Sequence, residues 1–95
     1  MNKEIYNKLK KLKPTLKERF GIEEFALFGS VARGTDTEDS DVDIAILKFD
    51  LKDPFFIIDA KEFLKDKLQK DVDMGTFRSM NTFIKNRIKK DFVYV

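Results

Sequence analysis

Apolar side chains near the start of the chain recur every three or four positions and predict one amphipathic helix over residues 3–20. Pro14 falls inside this segment and is expected to kink the helix or divide it in two, because proline lacks a backbone N–H and crowds the preceding turn. Gly21 follows the last apolar position and is suited to cap the helix. The apolar stripe consists of Ile5, Leu9, Leu12, Leu16 and Phe20.

Two further apolar segments predict strands in the first half of the chain. Residues 25–28 are apolar throughout and predict a short buried strand, which runs into a brief helical turn at residues 31–33. Residues 34–40 are polar and predict a loop. In residues 41–49 the side chains alternate between an apolar face and a mixed one, which makes this the strongest strand prediction in the chain.

The second half of the chain predicts two more helices and a third strand. Asp53-Pro54 is a helix-start signal that predicts a helix through Leu68, because aspartate caps helices and proline suits their first position. Residues 72–77 predict a strand, Ser79 is expected to cap a last helix, and residues 92–95 form an apolar tail. The side chains expected to face the core are Phe56, Ile57, Ala60, Phe63, Leu64 and Leu68 on the first helix, and Met80, Phe83, Ile84 and Ile88 on the second.

This order of elements predicts an α+β fold, with a small mixed sheet whose helices pack mainly on one face. A chain of 95 residues, 42% hydrophobic and 38% charged, suits a single globular domain over residues 1–95. The longest apolar runs have four residues, whereas a membrane-spanning helix needs about 20. The charged start of the chain has no secretory apolar segment, so we expect a cytoplasmic protein without membrane partners.

Charge and composition narrow the possible chemistry. The chain has no Cys and no His, so any catalysis must use carboxylates, hydroxyls, Lys, Arg and backbone groups. The net charge is only +2, yet residues 36–43 carry five acids and no base, and the rest of the chain has a balance of +7. Such an acidic segment suits divalent cations, although flexible acidic loops are also common. It argues against direct nucleic-acid binding, because it would repel phosphates.

Three features could form one site. Asp41 and Asp43 project from the same face of a predicted strand, and hard carboxylate oxygens suit Mg²⁺ or Mn²⁺. Gly29-Ser30 follows a strand and could hold phosphate oxygens through backbone N–H groups and a hydroxyl. Asp73 lies between apolar residues of another predicted strand, where a shared metal would compensate its charge.

Each feature taken singly also has an ordinary structural explanation. A pair such as Asp41 and Asp43 is often a strand end in solvent, and Gly-Ser after a strand is a common turn. Asp73 could be a strand-edge residue, and Asp71 competes with it for any role. The prediction of one site therefore depends on the presence of all three features and on their spacing along the chain.

The segment Leu27-Phe28-Gly29-Ser30-Val31-Ala32-Arg33-Gly34, followed by Ser40-Asp41-Val42-Asp43-Ile44, has the pattern G-S-x10-D-x-D. With the elements around it, this pattern resembles the minimal nucleotidyltransferase (MNT) family, the smallest members of the DNA polymerase β-like nucleotidyltransferases. The resemblance extends over nearly the whole chain. It implies the nucleotidyltransferase fold and in-line attack of a hydroxyl on the α-phosphorus of ATP, with pyrophosphate as the leaving group.

The resemblance also assigns residues. Gly29 and Ser30 match the positions that hold the nucleotide phosphates, and Asp41 and Asp43 match the pair that binds two Mg²⁺ ions. Asp73 matches the third carboxylate, which binds one metal ion and accepts the proton of the acceptor hydroxyl. The looser segment after Asp73, Met74-Gly75-Thr76, departs from the aliphatic run usual in the family and makes Asp73 the least secure of the three assignments.

Arg33 matches the arginine of the family's Ala-Arg-Gly sequence and is a candidate nucleotide-binding residue. A salt bridge to a loop acid such as Asp36 or Asp39 explains it equally well.

The resemblance further implies a partner, because only about 20 residues follow the third predicted strand and they leave little room for an acceptor-binding domain. In the HEPN–MNT toxin–antitoxin pairing, the MNT protein is an antitoxin that transfers AMP to a tyrosine of its HEPN toxin. Two alternatives stay open at this point. The chain could be a non-catalytic antitoxin that neutralises its partner by binding, or it could modify a small molecule or an RNA end.

Overall fold

A four-stranded mixed sheet organises the computed structural model, which describes residues 1–51 and 53–95. The strands are β1 (Ile22–Phe28), β2 (Val42–Phe49), β3 (Val72–Thr76) and β4 (Val93–Tyr94). The helices are α1 (Lys3–Phe20), α2 (Gly29–Arg33), α3 (Phe56–Leu68) and α4 (Thr82–Lys89). This architecture confirms the predicted α+β fold.

The spatial order of the strands is β3-β2-β1-β4. β1 pairs antiparallel with both β2 and β4, whereas β2 and β3 run parallel. The parallel pair is joined through α3, as parallel neighbours require a long crossover connection. The register between β2 and β3 places Val42 beside Val72 and Ile44 beside Met74, so these side chains share one face of the sheet.

That face carries the core and is covered by α1 and α3. The apolar stripe of α1 packs there as predicted, with Leu9 and Leu16 fully buried. The helix is continuous through Pro14, so the expectation of a division in two was wrong. It ends at Gly21, which adopts φ 72° and donates its N–H to the last turn, confirming the predicted cap.

α3 begins later than the Asp53-Pro54 signal predicted. Instead of capping the helix directly, Asp53 forms a tight turn in which its Oδ1 accepts a hydrogen bond from the Phe55 N–H at 2.8 Å. Its backbone carbonyl accepts from the Phe56 N–H at 3.0 Å, and the helix starts at Phe56. The predicted end at Leu68 is confirmed, and so is the inward face of the helix. On that face Phe56, Ala60, Leu64 and Leu68 are buried, while Ile57 and Phe63 are partly buried against the core.

The strand boundaries differ from the predictions by a few residues. β1 starts at Ile22 rather than Phe25, because Ile22 pairs with Phe49 across an irregular register. β3 ends at Thr76, since Phe77 enters a 3₁₀ turn that extends to Ser79.

The last helix was predicted incorrectly in its start and its orientation. Asn81 caps α4 by accepting the Ile84 N–H at 2.9 Å, while the Ser79 hydroxyl bonds to Thr76 within the preceding turn. Phe83 and Ile84 face solvent, with 73% and 42% of their surfaces exposed, and no side chain of α4 is buried within the described structure. The core face of the sheet is already covered by α1 and α3, which leaves α4 without a core to pack on.

The apolar tail is an edge strand. β4 pairs with β1 so that Val93 lies beside Leu27 and Tyr94 beside Ala26. Val95 is buried, and its backbone carbonyl accepts a hydrogen bond from Lys13 Nζ at 2.7 Å. None of the helices in the described ranges is long and apolar enough to cross a membrane.

We expect Leu64→Ala to lower the free energy of unfolding by about 2–4 kcal/mol, because it opens a cavity where α3 meets the core. Ile58→Ala on the same helix is the matched control, since the Ile58 side chain is exposed, and should change stability by about 0.5 kcal/mol or less. Urea denaturation followed by circular dichroism measures both. Equal losses in the two variants would contradict the placement of α3.

Candidate active site

Gly29 joins the end of β1 to the start of α2 and lies directly against Asp43. Its φ of +73° is in the left-handed region, which favours glycine. A Cβ built at this position would overlap the carboxylate oxygen Oδ2 of Asp43. The site therefore needs glycine here for two independent reasons, backbone conformation and space.

Asp43 and Asp73 are direct neighbours on the parallel strands β2 and β3. Adjacent strands lie about 4.8 Å apart, and paired residues project from the same face, so the two carboxylates stand side by side. Both are on the face opposite α1 and α3, because the residues that flank them point into the core. The sequence suggested a buried setting for Asp73, but β3 is an edge strand and Asp73 is exposed.

Asp41 lies just outside the strand to which the sequence assigned it. β2 begins at Val42, and Asp41 is an exposed residue of the loop before it. Its charge nevertheless acts on Asp43, as the electrostatics of that group show. The structure thus places Asp43 beside Asp73 on one sheet face, with Asp41 in the loop just before β2.

Asp71 contacts α3 and β2. Its carboxylate forms an ion pair with Lys65 of α3 at 3.1 Å, and its backbone carbonyl accepts a hydrogen bond from Val42 N–H at 2.9 Å. Of the two acids that competed for the third position, Asp73 is the one in register with Asp43.

The carboxyl group of Asp43 is partly buried and is influenced by three neighbouring charges. Burial raises the pKa of its carboxyl above the ordinary value of 3.8, and the charges of Asp73 and Asp41 raise it further. The positive charge of Arg33 lowers the pKa and offsets part of this shift. A raised pKa means that the ionised carboxylate is under unfavourable interactions that a bound cation would relieve.

The residues present fit a divalent cation. Burial and the neighbouring acids raise the Asp43 pKa, and the missing Cβ of Gly29 leaves room at the carboxylate, which matches the oxygen-rich setting that Mg²⁺ prefers. Within residues 1–51 and 53–95, however, no three acids converge closely enough to hold one ion as they stand. Asp41, Asp43 and Asp73 would therefore have to turn toward one another to share an ion.

Ser30 follows Gly29 in the first turn of α2 and is half-buried. The first N–H groups of a helix have no partner within the helix, so this turn offers donors at the end of β1 beside the carboxylates. α2 ends at Gly34, which has φ 79° and donates its N–H to the Ser30 carbonyl. This cap ends α2 after five residues.

Arg33 is not paired with either loop acid that the sequence suggested. Its Nη1 contacts Oδ2 of Asp91 at 2.7 Å, while Asp36 accepts a hydrogen bond from Asn2 Nδ2 at 2.8 Å. Asp91 was missed by sequence reasoning because it lies 58 positions away and carries no local signal.

An aromatic cluster lies next to the carboxylates and was also missed. Phe28 is the cross-strand partner of Asp43, and its ring contacts Phe92 with 6.3 Å between centroids. Phe92 also contacts Phe77 at 5.3 Å and Tyr94 at 5.9 Å. The sequence showed these residues as apolar, but only the pairing of β4 with β1 brings them to this face.

The acidic loop borders a cleft of about 580 Å³ beside Asp41. Most of the charged residues that line it are acids, so the local field in this cleft favours cations. The cleft is lined by the loop and α3, and neither Asp43 nor Asp73 is among its lining residues. The lining residues are Glu38, Asp39, Ser40, Asp41, Glu62, Lys65, Asp66, Gln69, Lys70 and Asp71.

Comparison with known proteins gives consistent matches. A profile described as the nucleotidyltransferase domain matches residues 9–95. The protein adenylyltransferase MntA of Thermococcus cleftensis is 36% identical over 92 residues, covering 97% of this chain and 93% of that protein.

Solved structures match over the same length. A crystal structure of a toxin–antitoxin with AMP-PNP contains a chain that is 29% identical, with a TM-score of 0.72 over 93% of this chain and 69% of that one. A structure of the tri-AMPylated HEPN toxin of Shewanella oneidensis in complex with an MNT antitoxin matches at 26% identity. Its TM-score is 0.69, and the match covers 99% of this chain and 71% of that one.

We expect Gly29→Ala to lower the free energy of unfolding by about 1–2 kcal/mol, the cost of a left-handed conformation in a residue with a Cβ. The overlap with Asp43 adds to that cost. Gly75→Ala is the matched control, because a Cβ there meets only Met80 Cε at an ordinary 3.9 Å. Thermal unfolding compares the two, and an unfolding temperature for Gly29→Ala no lower than that of the control would contradict this geometry.

We expect Asp43→Asn to raise the unfolding temperature by about 2–4 °C at pH 7 in buffer with EDTA, a small effect because solvent screens a partly exposed charge. The Asp43 pKa is raised in the folded state, so the ionised carboxylate opposes folding. This penalty is absent below pH 3.8, appears as the pH rises through the raised pKa and then stays constant.

The difference in unfolding temperature between wild type and Asp43→Asn should therefore vanish at pH below 3.8. Asp39→Asn, an exposed acid of the preceding loop, is the control and should have a smaller effect at pH 7. A wild type that is more stable than Asp43→Asn at pH 7 without metal would overturn the electrostatic interpretation.

Proposed function

This chain belongs to the nucleotidyltransferase domain family, and we propose that it transfers AMP from ATP to a tyrosine hydroxyl of a partner HEPN toxin and so acts as an antitoxin. The membership confirms the resemblance inferred from the Gly29-Ser30 and Asp41-Val42-Asp43 sequences. The observation that carries the proposal is the register of β2 and β3, which sets Asp43 beside Asp73 next to Gly29.

Each site residue has a role in the proposed reaction. Gly29 and Ser30 hold the β- and γ-phosphates, while Asp41 and Asp43 provide the oxygen ligands for two Mg²⁺ ions, with Mn²⁺ as a substitute. When bound, these ions stabilise the charge on the entering and leaving oxygens at the α-phosphorus.

Asp73 is suited to the proton step, because it is exposed on an edge strand and an acceptor can reach it from solvent. It takes the proton of the acceptor hydroxyl as that oxygen attacks the α-phosphorus. The bond from phosphorus to the bridging oxygen breaks, and pyrophosphate leaves.

The surface around α4 supports a protein acceptor. α4 connects β3 at one edge of the sheet to β4 at the other and exposes Phe83 and Ile84. Exposed apolar side chains on a helix next to a site are typical of a surface that another protein covers. Relatives of this chain occur in solved toxin–antitoxin complexes, one of them with an AMPylated HEPN toxin.

The test is the intact mass of a HEPN toxin from the same genome after incubation with this chain, Mg²⁺ and ATP. We expect a gain of one or more AMP masses, located on tyrosine by peptide mapping. Asp41→Asn combined with Asp43→Asn should slow the gain by at least about 100-fold, because metal stabilisation of the transition state contributes several kcal/mol. Asp39→Asn, which removes an acid of the same loop outside the proposed ligands, is the matched control.

The other outcomes identify the alternatives. A tight complex without mass gain from any of the four nucleotides would mean that the chain neutralises its partner by binding alone. Transfer of AMP to RNA or a small molecule without the protein partner would replace the toxin as the acceptor.

A further inference from the structure

The contact between Arg33 and Asp91 connects the loop after β1 to the end of the chain. Arg33 is the last residue of α2, three positions after Ser30, and its guanidinium contacts the Asp91 carboxylate at 2.7 Å. The Arg33 side chain is 50% exposed and that of Asp91 is 26% exposed. An ion pair as exposed as this one contributes little to stability, so its significance lies in where it holds the arginine.

Contacts of the residues before and after Asp91 in the chain fix the position of its backbone. Its N–H donates to the Ile88 carbonyl at 2.9 Å, which ties it to the end of α4. The next residue, Phe92, packs on Phe28 and Phe77, and β4 follows and pairs with β1. A short side chain on a backbone anchored in this way presents its carboxylate at a defined position.

The held guanidinium lies close to the site. Asp91 precedes Phe92, whose ring packs on Phe28, and Phe28 is the cross-strand partner of Asp43. An arginine carries five N–H donors in a rigid fork, and a contact through Nη1 leaves donors on the other nitrogens for a phosphate.

We propose that Asp91 is a positioning residue for nucleotide binding, because it holds Arg33 with its remaining donors at the triphosphate end of the site. This inference rests on the proposed function, since it assumes that the site takes a nucleoside triphosphate. The C-terminal segment then completes a site whose other residues come from β1, α2, β2 and β3. A pre-positioned arginine loses less side-chain freedom when the nucleotide binds, and this raises affinity.

The first test is the dissociation constant of MgATP for the chain alone, measured by calorimetric titration, with the unfolding temperature of each variant recorded alongside. We expect Asp91→Asn to weaken MgATP binding by about 5- to 20-fold with little change in unfolding temperature. Asp91→Glu keeps the charge and should recover most of the affinity. Glu4→Gln, which breaks the exposed ion pair between Glu4 and Lys8 of α1, is the matched control and should leave the affinity unchanged.

A charge exchange separates positioning from a merely structural role. Arg33→Asp combined with Asp91→Arg can rebuild the ion pair in reverse, and its unfolding temperature should stay close to that of wild type. It should not restore MgATP binding, because the acid at position 33 would face the triphosphate. Wild-type affinity for MgATP in this double variant would show that the pair only joins two segments and would overturn the inference.

The remaining outcomes distinguish this inference from the proposed function. A wild type that binds MgATP and transfers AMP, with Asp91→Asn binding equally well, overturns the role of Asp91 alone. A wild type that binds no MgATP overturns both.

Discussion

The contact on which this structure depends is the pairing of β2 with β3, and hydrophobic burial determines its register. Val42 and Ile44 on one strand and Val72 and Met74 on the other must all face α1 and α3. A shift of one residue would turn one set to the opposite face and bring an aspartate into the core. The arrangement that buries the apolar residues is therefore also the one that forces two carboxylates side by side.

The two faces of the sheet therefore have different roles. One face carries the core, with α1 and α3 packed on it, and contributes the free energy that holds the fold together. The other face carries Asp43 beside Asp73, with Gly29 in a conformation that favours glycine. Burial and the charges of neighbouring acids raise the pKa of Asp43, and perturbed carboxylates of this kind concentrate at functional sites.

The C-terminal segment belongs to the site as much as to the sheet. It leaves β3 at one edge, passes through α4 and returns as β4 at the other edge. On the way it brings Asp91 to Arg33 and Phe92 to Phe28, so that the residues around the nucleotidyltransferase motif are supported from the far end of the chain. α4 buries none of its side chains within the described structure and exposes Phe83.

Local signals in the sequence were sufficient for much of the fold. Residues a few positions apart determine the periodicity of α1 and its cap at Gly21. The same holds for the alternation along β2 and for the inward face of α3. The spacing from Gly29-Ser30 to Asp41 and Asp43 was enough to indicate the family, because that chemistry depends on a short contiguous segment. The boundaries at Phe56 and Asn81 were misplaced, because turn hydrogen bonds compete with cap signals.

Only the tertiary structure decided which distant residues meet. The partner of Arg33, the register of Asp73 with Asp43 and the outward direction of Phe83 follow from strand order and from which sheet face was already covered. These outcomes depend on residues tens of positions apart that become neighbours through the sheet. The sequence by itself therefore determined the elements and the chemical groups, while packing determined how those groups face one another.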